Sequence, residues 1–347
     1  MVMIALMMLT TSFSCNLLTG PHKSTGPDTT SHNWTFTIDT LGDGSGGSYL
    51  NDVSIVNTNP PLVYAVGQVY KMDSTGQTSP TLYNMAQWNG VSWDLRRIPY
   101  YYQGQSFYNG INAVFAFGAN DIWFGIGNLI HWNGNQYVPI DVSNAFKAYI
   151  TRIWGTSDKD LYIVGQNGSL AHFDGSTWQS IPTGITEDIQ DIWGGTDPTT
   201  GKEFALATVS TVYYGGYSRL LKITGTQADT VSTNGLSWSI TGVWFDSKSS
   251  YVVGAEMYHK DELQDSTWNI LTVPGNTYIN AVRGTAWNDV VAVGGSEFLH
   301  FNGSTWYGHY LGIPYVTLYA VSIKGNLAVA VGTLGGGKAI AVVAERK

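Results

Sequence analysis

Histidine, aspartate and arginine recur at matched places in this chain, and these residue types hold metals, move protons and grip anions. His131, His172 and His300 each stand just before an aromatic residue and an Asn-Gly or Asp-Gly pair, with His259 near the same place in its own segment. Asp52 and Asp191 take the third position of two similar apolar stretches, LNDVSIV and IQDIWGG, while Arg152 and Arg283 fall within ITRIWGT and INAVRGT. A zinc-type site needs several such histidines about 2.0–2.1 Å from one ion. Glycoside cleavage needs two carboxylates at a defined separation, and gripping a substrate carboxylate needs arginines in bidentate geometry. Which of these can form depends on how the intervening chain spaces the residues.

The spacing is periodic. Apolar stretches begin at residues 111, 150 and 189 and again at 240, 279 and 318, each 39 residues after the last, and LNDVSIV at 50 makes a seventh. Each is followed by a second apolar run that usually ends in glycine, as in LVYAVG (62–67), LYIVG (161–165) and LAVAVG (327–332). A third run, a turn and an aromatic complete the unit: MAQWNGVSW, LIHWNGNQY, LAHFDGSTW and FLHFNGSTW. Asn-Gly and Asp-Gly between apolar runs predict tight two-residue hairpins of type I′. A four-stranded repeat of about 40 residues with Trp or Tyr opening its last strand is the signature of a β-propeller blade.

The expected fold is therefore all-β: a seven-bladed propeller of four-stranded antiparallel blades. The seventh unit stops after AIAVVAERK without its aromatic strand, whereas NWTFTIDTLG (33–42) at the other end has the missing strand's pattern. Ring closure is expected through that N-terminal segment, which completes the last blade and removes an exposed edge. Equivalent positions in different blades lie a blade's width apart, too far for the histidines to share an ion. They read as packing or turn-supporting residues, and no metal or cofactor is expected. Asp52 and Asp191, on blades one and four, read as solvated channel-lining groups on opposite sides, and two arginines do not make an anion-gripping cluster. GDGSGGS (42–48) has too few carboxylates for a calcium loop and reads as a flexible connector.

Of 347 residues 43% are hydrophobic and only 12% charged, with a net charge of −8 and no Lys/Arg run longer than Arg96-Arg97. That balance disfavours nucleic acid, whose phosphates demand basic stripes. Residues 1–15, MVMIALMMLTTSFSC, are uncharged and apolar and end in the only cysteine. The segment is shorter than a bilayer span and resembles a bacterial lipoprotein signal, although Ser12 replaces the usual Leu and no basic residue precedes it. The resemblance implies acylation of Cys15 and membrane contact only through that anchor; the alternative is an ordinary cleaved signal. Either implies export, to the cell envelope or outside it. Residues 16–31 then read as a tether and 32–347 as one propeller domain.

The repeat, with its "vyaVG…h-dG-x-W" blades, resembles exported bacterial propellers of the broad YCF48/BNR-like and kelch-like group over residues 32–347. Its turns resemble the Asp-box of sialidase-type propellers, S-x-D-x-G-x-T-W, but Asp174 stands directly beside Gly175. Kelch-like copper oxidases require a cysteine that this propeller lacks. Such folds host binders, scaffolds and enzymes alike, so the site must be argued from residues. The repeat is interrupted by an insertion at 68–84, by IPYYYQGQSFYNG (98–110) and by VSTVYYGGYS (209–218), connections that open on one propeller face. They bring Tyr100, Tyr101, Tyr102, Phe107, Tyr108, Tyr213, Tyr214 and Tyr217 to that face, with Tyr149, Tyr278 and Tyr315 from shorter connectors. Tyrosine offers large contact area at low entropic cost. The expected function is a non-catalytic recognition module on the cell surface that binds a glycan or an envelope or extracellular protein. Alternatives are an assembly or scaffold factor for the envelope and a carbohydrate-active hydrolase or transferase; the other role for the tyrosines is to plug the channel mouth.

Overall fold

The computed structural model describes residues 29–347 except 76–78, 103–104, 198–199, 212–215, 262–264 and 276–277. Seven four-stranded antiparallel sheets stand around a central channel. Their innermost strands are Tyr49–Val56, Ala113–Gly118, Ile150–Ser157, Ile189–Thr196, Ile240–Phe245, Ala281–Ala286 and Val316–Lys324, which head blades 1 to 7. Blade 7 is closed as the sequence predicts: Trp34–Leu41 pairs antiparallel with Lys338–Arg346, in register from Trp34 opposite Arg346 to Leu41 opposite Ala339. The core is divided among the blade interfaces. One apolar cluster joins blades 1 and 2 through Val66, Met85, Val114 and Phe124, and another joins blades 6 and 7 through Val291, Phe298, Leu318 and Trp34. Each inner sheet is thus covered on both faces, and its strands are continuously apolar rather than alternating.

A ring of side-chain bonds stitches the starts of the inner strands together. Asn51 donates to the Ile111 carbonyl, Thr151 to Ile189, Ser210 to Ile240, Thr241 to Ile279, Asn280 to Leu318 and Thr333 to Ser48. Blades 2 and 3 are joined instead by the backbone bond from Ile150 N–H to Ile126. Each bond joins the start of one inner strand either to the start of the neighbouring inner strand or, at Ile126, Ser210 and Thr333, to the end of the neighbouring blade's second strand, which pairs with an inner-strand start. The inner strands therefore run in parallel around the channel and their entry loops share one face. Asn51, Thr151, Gln190, Thr241 and Tyr319 sit where the inner strand slips register against its neighbour. Such bulges re-aim side chains, and Asn51, Thr151 and Thr241 thereby point to the next blade.

The glycine that closes most of the second apolar runs is explained here too. A Cβ on Gly67 would lie 2.2 Å from the Tyr49 carbonyl oxygen, and on Gly294 1.9 Å from that of Tyr278. Gly294→Ala is expected to cost about 1–3 kcal/mol, as overpacking against rigid backbone does, whereas Gly47→Ala, with nothing within 4 Å of the new methyl, should unfold like wild type. Urea denaturation of the two variants checks this.

The turns differ from the two-residue type I′ hairpins expected of Asn-Gly. Trp88 pairs with Trp93, Phe173 with Trp178 and Phe301 with Trp306, leaving four-residue loops. Only the glycines take positive φ, 96° at Gly90 and 94° at Gly303. The preceding Asn or Asp side chain instead caps the loop: Asn89 Oδ1 accepts the N–H groups of Val91 and Ser92, and Asp174 Oδ1 those of Ser176 and Thr177. These bonds hold the exposed Asp174 carboxyl far below its usual range. The aromatics flanking each loop form cross-strand pairs, with ring centroids 5.2 Å apart for Phe173 and Trp178, which is why the heptapeptide repeats. Two further expectations change. The insertion at 68–84 lengthens the second and third strands of blade 1 (Leu62–Lys71 and Thr81–Trp88), so that only 72–80 connects them. GDGSGGS is anchored, not a free connector: Asp43 accepts the N–H groups of Ser45 and Met72, and the Ser45 side chain foremost, with these N–H groups, lowers its carboxyl to about 2.

Candidate functional site

The matched histidines are tied within their own blades. His131 Nε2 lies 2.8 Å from Asp121, His172 Nε2 2.6 Å from Asp160 and His300 Nε2 3.2 Å from Asp289. Each aspartate opens or adjoins the second strand and each histidine sits on the third. His131 stacks on Trp123 and His172 on Tyr162, with centroids 4.2 and 4.3 Å apart. Thr156 and Thr285 close the arrangement by donating to Asp160 and Asp289. Among the described residues no three His, Cys, Asp or Glu side chains converge as metal ligands.

The carboxylates of the channel are not the solvated groups their positions suggest. Asp52 and Asp191 are 7% and 2% exposed. Each accepts a backbone N–H from the next blade, Val114 for Asp52 and Val243 for Asp191, at 3.0 Å. Arg283 reaches from blade 6 across blade 5 and grips Asp191 bidentately, at 2.8 and 2.7 Å, with its guanidinium 5.0 Å from the Trp193 ring centroid. Arg152 Nε stands 3.7 Å from the same carboxylate. Burial pushes the Asp52 carboxyl above its usual range, against the pull of Arg152, the Val114 N–H and Arg283. A cavity of about 120 Å³ beside this cluster is walled by Ser54, Phe115, Trp193, Ser322 and Lys324. The two arginines are committed to the wall, Arg283 to Asp191 and to the Val243 and Val282 carbonyls, and Arg152 to Asp191 and the Thr151 carbonyl.

The tyrosine-rich connections were placed on the entry-loop face, and the loops described do open there. Residues 98–110 form a small hairpin, Tyr100–Tyr102 with Gln105–Phe107. Tyr101, Phe107 and Tyr108 are 46%, 40% and 36% exposed, and the Arg97 guanidinium lies 3.7 Å over the Tyr108 ring. Tyr100 turns inward against the core shared by blades 1 and 2. Tyr102 ends the first strand of the hairpin, and its side chain, like Tyr213 and Tyr214, lies outside the described residues. Tyr217 is half-buried against blades 3 and 4 and bonds Arg219 through its hydroxyl. Cys15 also lies outside the described residues.

Of the shorter connectors, Tyr149 and Tyr315 are exposed, Tyr315 at 89%, whereas the Tyr278 hydroxyl bonds Ser239. Trp238, 46% exposed beside the start of blade 5, joins this face and was missed in the sequence. Like Tyr149 and Tyr278, it lies in the last few residues before an inner strand, two before Ile240.

No protein-family description matches the sequence, and no curated protein does. Solved structures match the whole architecture. The structure of YCF48 bound to D1 peptide superposes with a TM-score of 0.64 at 13% identity, covering 93% of this chain and all (100%) of that one. YCF48 from Cyanidioschyzon merolae gives 0.59 at 14% identity, over 89% of this chain and 98% of its own. The WD40 β-propeller domain of Doa1 gives 0.58 at 10%, over 90% and 97%. At such low identity the likeness is one of fold, and it agrees with the geometry: the chain is a seven-bladed β-propeller, similar in fold to YCF48.

Proposed function

We propose that this propeller is a non-catalytic protein-binding module that takes a peptide segment of a partner on its entry-loop face. The observation that carries the reading is the group of exposed rings there: Tyr101, Phe107, Tyr108, Tyr149, Trp238 and Tyr315. Tyr315 is the clearest case. It holds φ at +57°, a conformation uncommon for a bulky residue and one that carries strain, and its ring is exposed, so the ring's packing does not offset the strain. Exposed aromatics on a rigid scaffold mark interaction sites, and tyrosine and tryptophan dominate the energetics of such surfaces. The likeness to a propeller solved with a bound peptide supports a peptide over a glycan as the occupant. With Cys15 as an export anchor, that peptide belongs to an envelope or extracellular protein.

The test is selection of binding peptides against the wild-type chain, followed by affinity measurement with Tyr101→Ala, Tyr149→Ala and Tyr315→Ala combined. Losses of about 1–3 kcal/mol per central ring are expected, so affinity should fall at least about a hundredfold while thermal unfolding is unchanged. Peptides that bind the triple variant as well as wild type would refute this face. Selective retention of oligosaccharides on a glycan array would put a sugar in the peptide's place.

A further inference from the structure

The chain enters the propeller across blade 6 before it becomes the outer strand of blade 7. Thr30 N–H donates to the Asn302 carbonyl at 3.1 Å, and its hydroxyl donates to the Asn288 carbonyl at 2.9 Å. His32 follows, its Nδ1 2.8 Å from His300 Nδ1 and its Nε2 3.1 Å from the Thr305 hydroxyl. In blades 2 and 3 the matched histidine faces its aspartate through Nε2, and no second histidine bonds it among the described residues. At blade 6 the same histidine has been recruited to hold the entering chain.

Hydrogen-bond capacity fixes how the protons are arranged. His300 presents Nε2–H to the acceptor-only Asp289 carboxylate, so its Nδ1 is a lone pair. His32 must then donate Nδ1–H, and its Nε2 accepts from Thr305. A chain of donors runs Thr305, His32, His300, Asp289. Adding one proton leaves it intact, because the Thr305 hydroxyl can turn to accept from His32 Nε2–H, or the bridging hydrogen can belong to His300. A second proton cannot be accommodated: both Nδ1 atoms would carry hydrogen across 2.8 Å.

We propose that residues 29–33 form an acid-released clasp, which holds the entering chain on blade 6 and opens when the His32–His300 pair takes up its second proton, while the strand Trp34–Leu41 stays paired. The surroundings are arranged for this. Facing the pair are the Arg346 guanidinium from the last strand, His309 and Tyr307 from the outer strand of blade 6, and Asp289 from its second strand. Burial foremost, then the charges of His300, His309 and Arg346, lower His32 from 6.5 to about 4. Burial alone would raise Asp289, but bonds from His300, Thr285 and Arg346 outweigh it and hold the carboxyl low. The Asp289–Arg346 pair, which fastens the ring seam, therefore outlasts the clasp as pH falls.

The sign follows from the lowered value. The clasped state binds fewer protons than the open one, so the clasp is complete above pH 6.5 and weakens as pH falls toward about 4. With solvent screening at a partly exposed ring, the opening equilibrium should rise about tenfold between pH 7 and pH 4. Hydrogen exchange of the full-length protein, read by mass spectrometry and corrected for intrinsic rates, reports it as faster exchange at 29–33 against unchanged protection at 36–41. His32→Gln keeps a donor for His300 but does not titrate, so its exchange at 29–33 should have no pH dependence beyond the intrinsic one. Equal wild-type protection at both pH values, or a wild-type pH slope retained by His32→Gln, would overturn the clasp. Histidine ¹⁵N shifts of the wild type at pH 7, which must show one hydrogen shared between the two Nδ1 atoms, give an independent reading that needs no variant.

Discussion

Asp191→Ala should lower the free energy of unfolding by about 3–5 kcal/mol, the cost of leaving a buried partner charge uncompensated. The stranded charge is Arg283, which donates through both terminal nitrogens to Asp191 and, among the described residues, is otherwise hydrogen-bonded to the backbone carbonyls of Val243 and Val282. The loss reaches further than one pair. Asp191 also accepts the Val243 N–H and faces Arg152, so blades 3, 4, 5 and 6 all meet at this carboxylate. Urea denaturation gives the number, and a companion variant separates causes. Asp191→Leu with Arg283→Met removes both charges and should recover most of the loss, because a well-packed apolar pair often matches a buried ion pair. If the double variant is no more stable than Asp191→Ala, the carboxylate acts through its backbone bond rather than through Arg283.

Trp34→Ala has an effect of similar size for a different reason. Trp34 is 5% exposed, with its ring 5.5 Å from Phe298, 5.4 Å from His300 and 4.5 Å from the Arg346 guanidinium. Truncating a buried tryptophan costs about 3–5 kcal/mol, and here the cost falls on the seam. Losing Trp34–Leu41 would leave Lys338–Arg346 as an unpaired edge, a template for aggregation. The expected result is reduced stability, faster proteolysis near residue 34 and concentration-dependent light scattering, with Trp34→Phe largely restoring all three. A variant as stable and as monodisperse as wild type would show that the ring does not need this strand.

Much of this was legible in the sequence because the chain repeats itself. Seven recurrences of one apolar pattern specify seven blades, and the aromatic strand missing at residue 347 but present at Trp34 specifies how the ring closes. Periodicity is a property of the chain, so it can be read without coordinates. The candidate surface was only partly legible. The long connectors mark the face by their composition, but composition does not separate Tyr101, which is exposed, from Tyr100, which turns into the core. Trp238 shares its placement before an inner strand with Tyr149 and Tyr278, but its connector carries no tyrosine and is not long.

Groups that act between blades lay outside what the sequence could determine. Asp191 and Arg283 are 92 residues apart, and nothing in either local stretch says that a side chain spans an intervening blade to meet the other. His32 and His300, 268 residues apart, meet only because the ring closes. The Asn-Gly and Asp-Gly loops teach the same lesson at short range: the residue pair marks the turn, but its length of four, capped by the Asn or Asp side chain, shows only in the strand pairing. The sequence determined which elements form and their order around the axis, since local pattern and repetition suffice for that. Burial, charge pairing and proton placement were decided by the tertiary structure, because each depends on distances between residues that the chain does not connect.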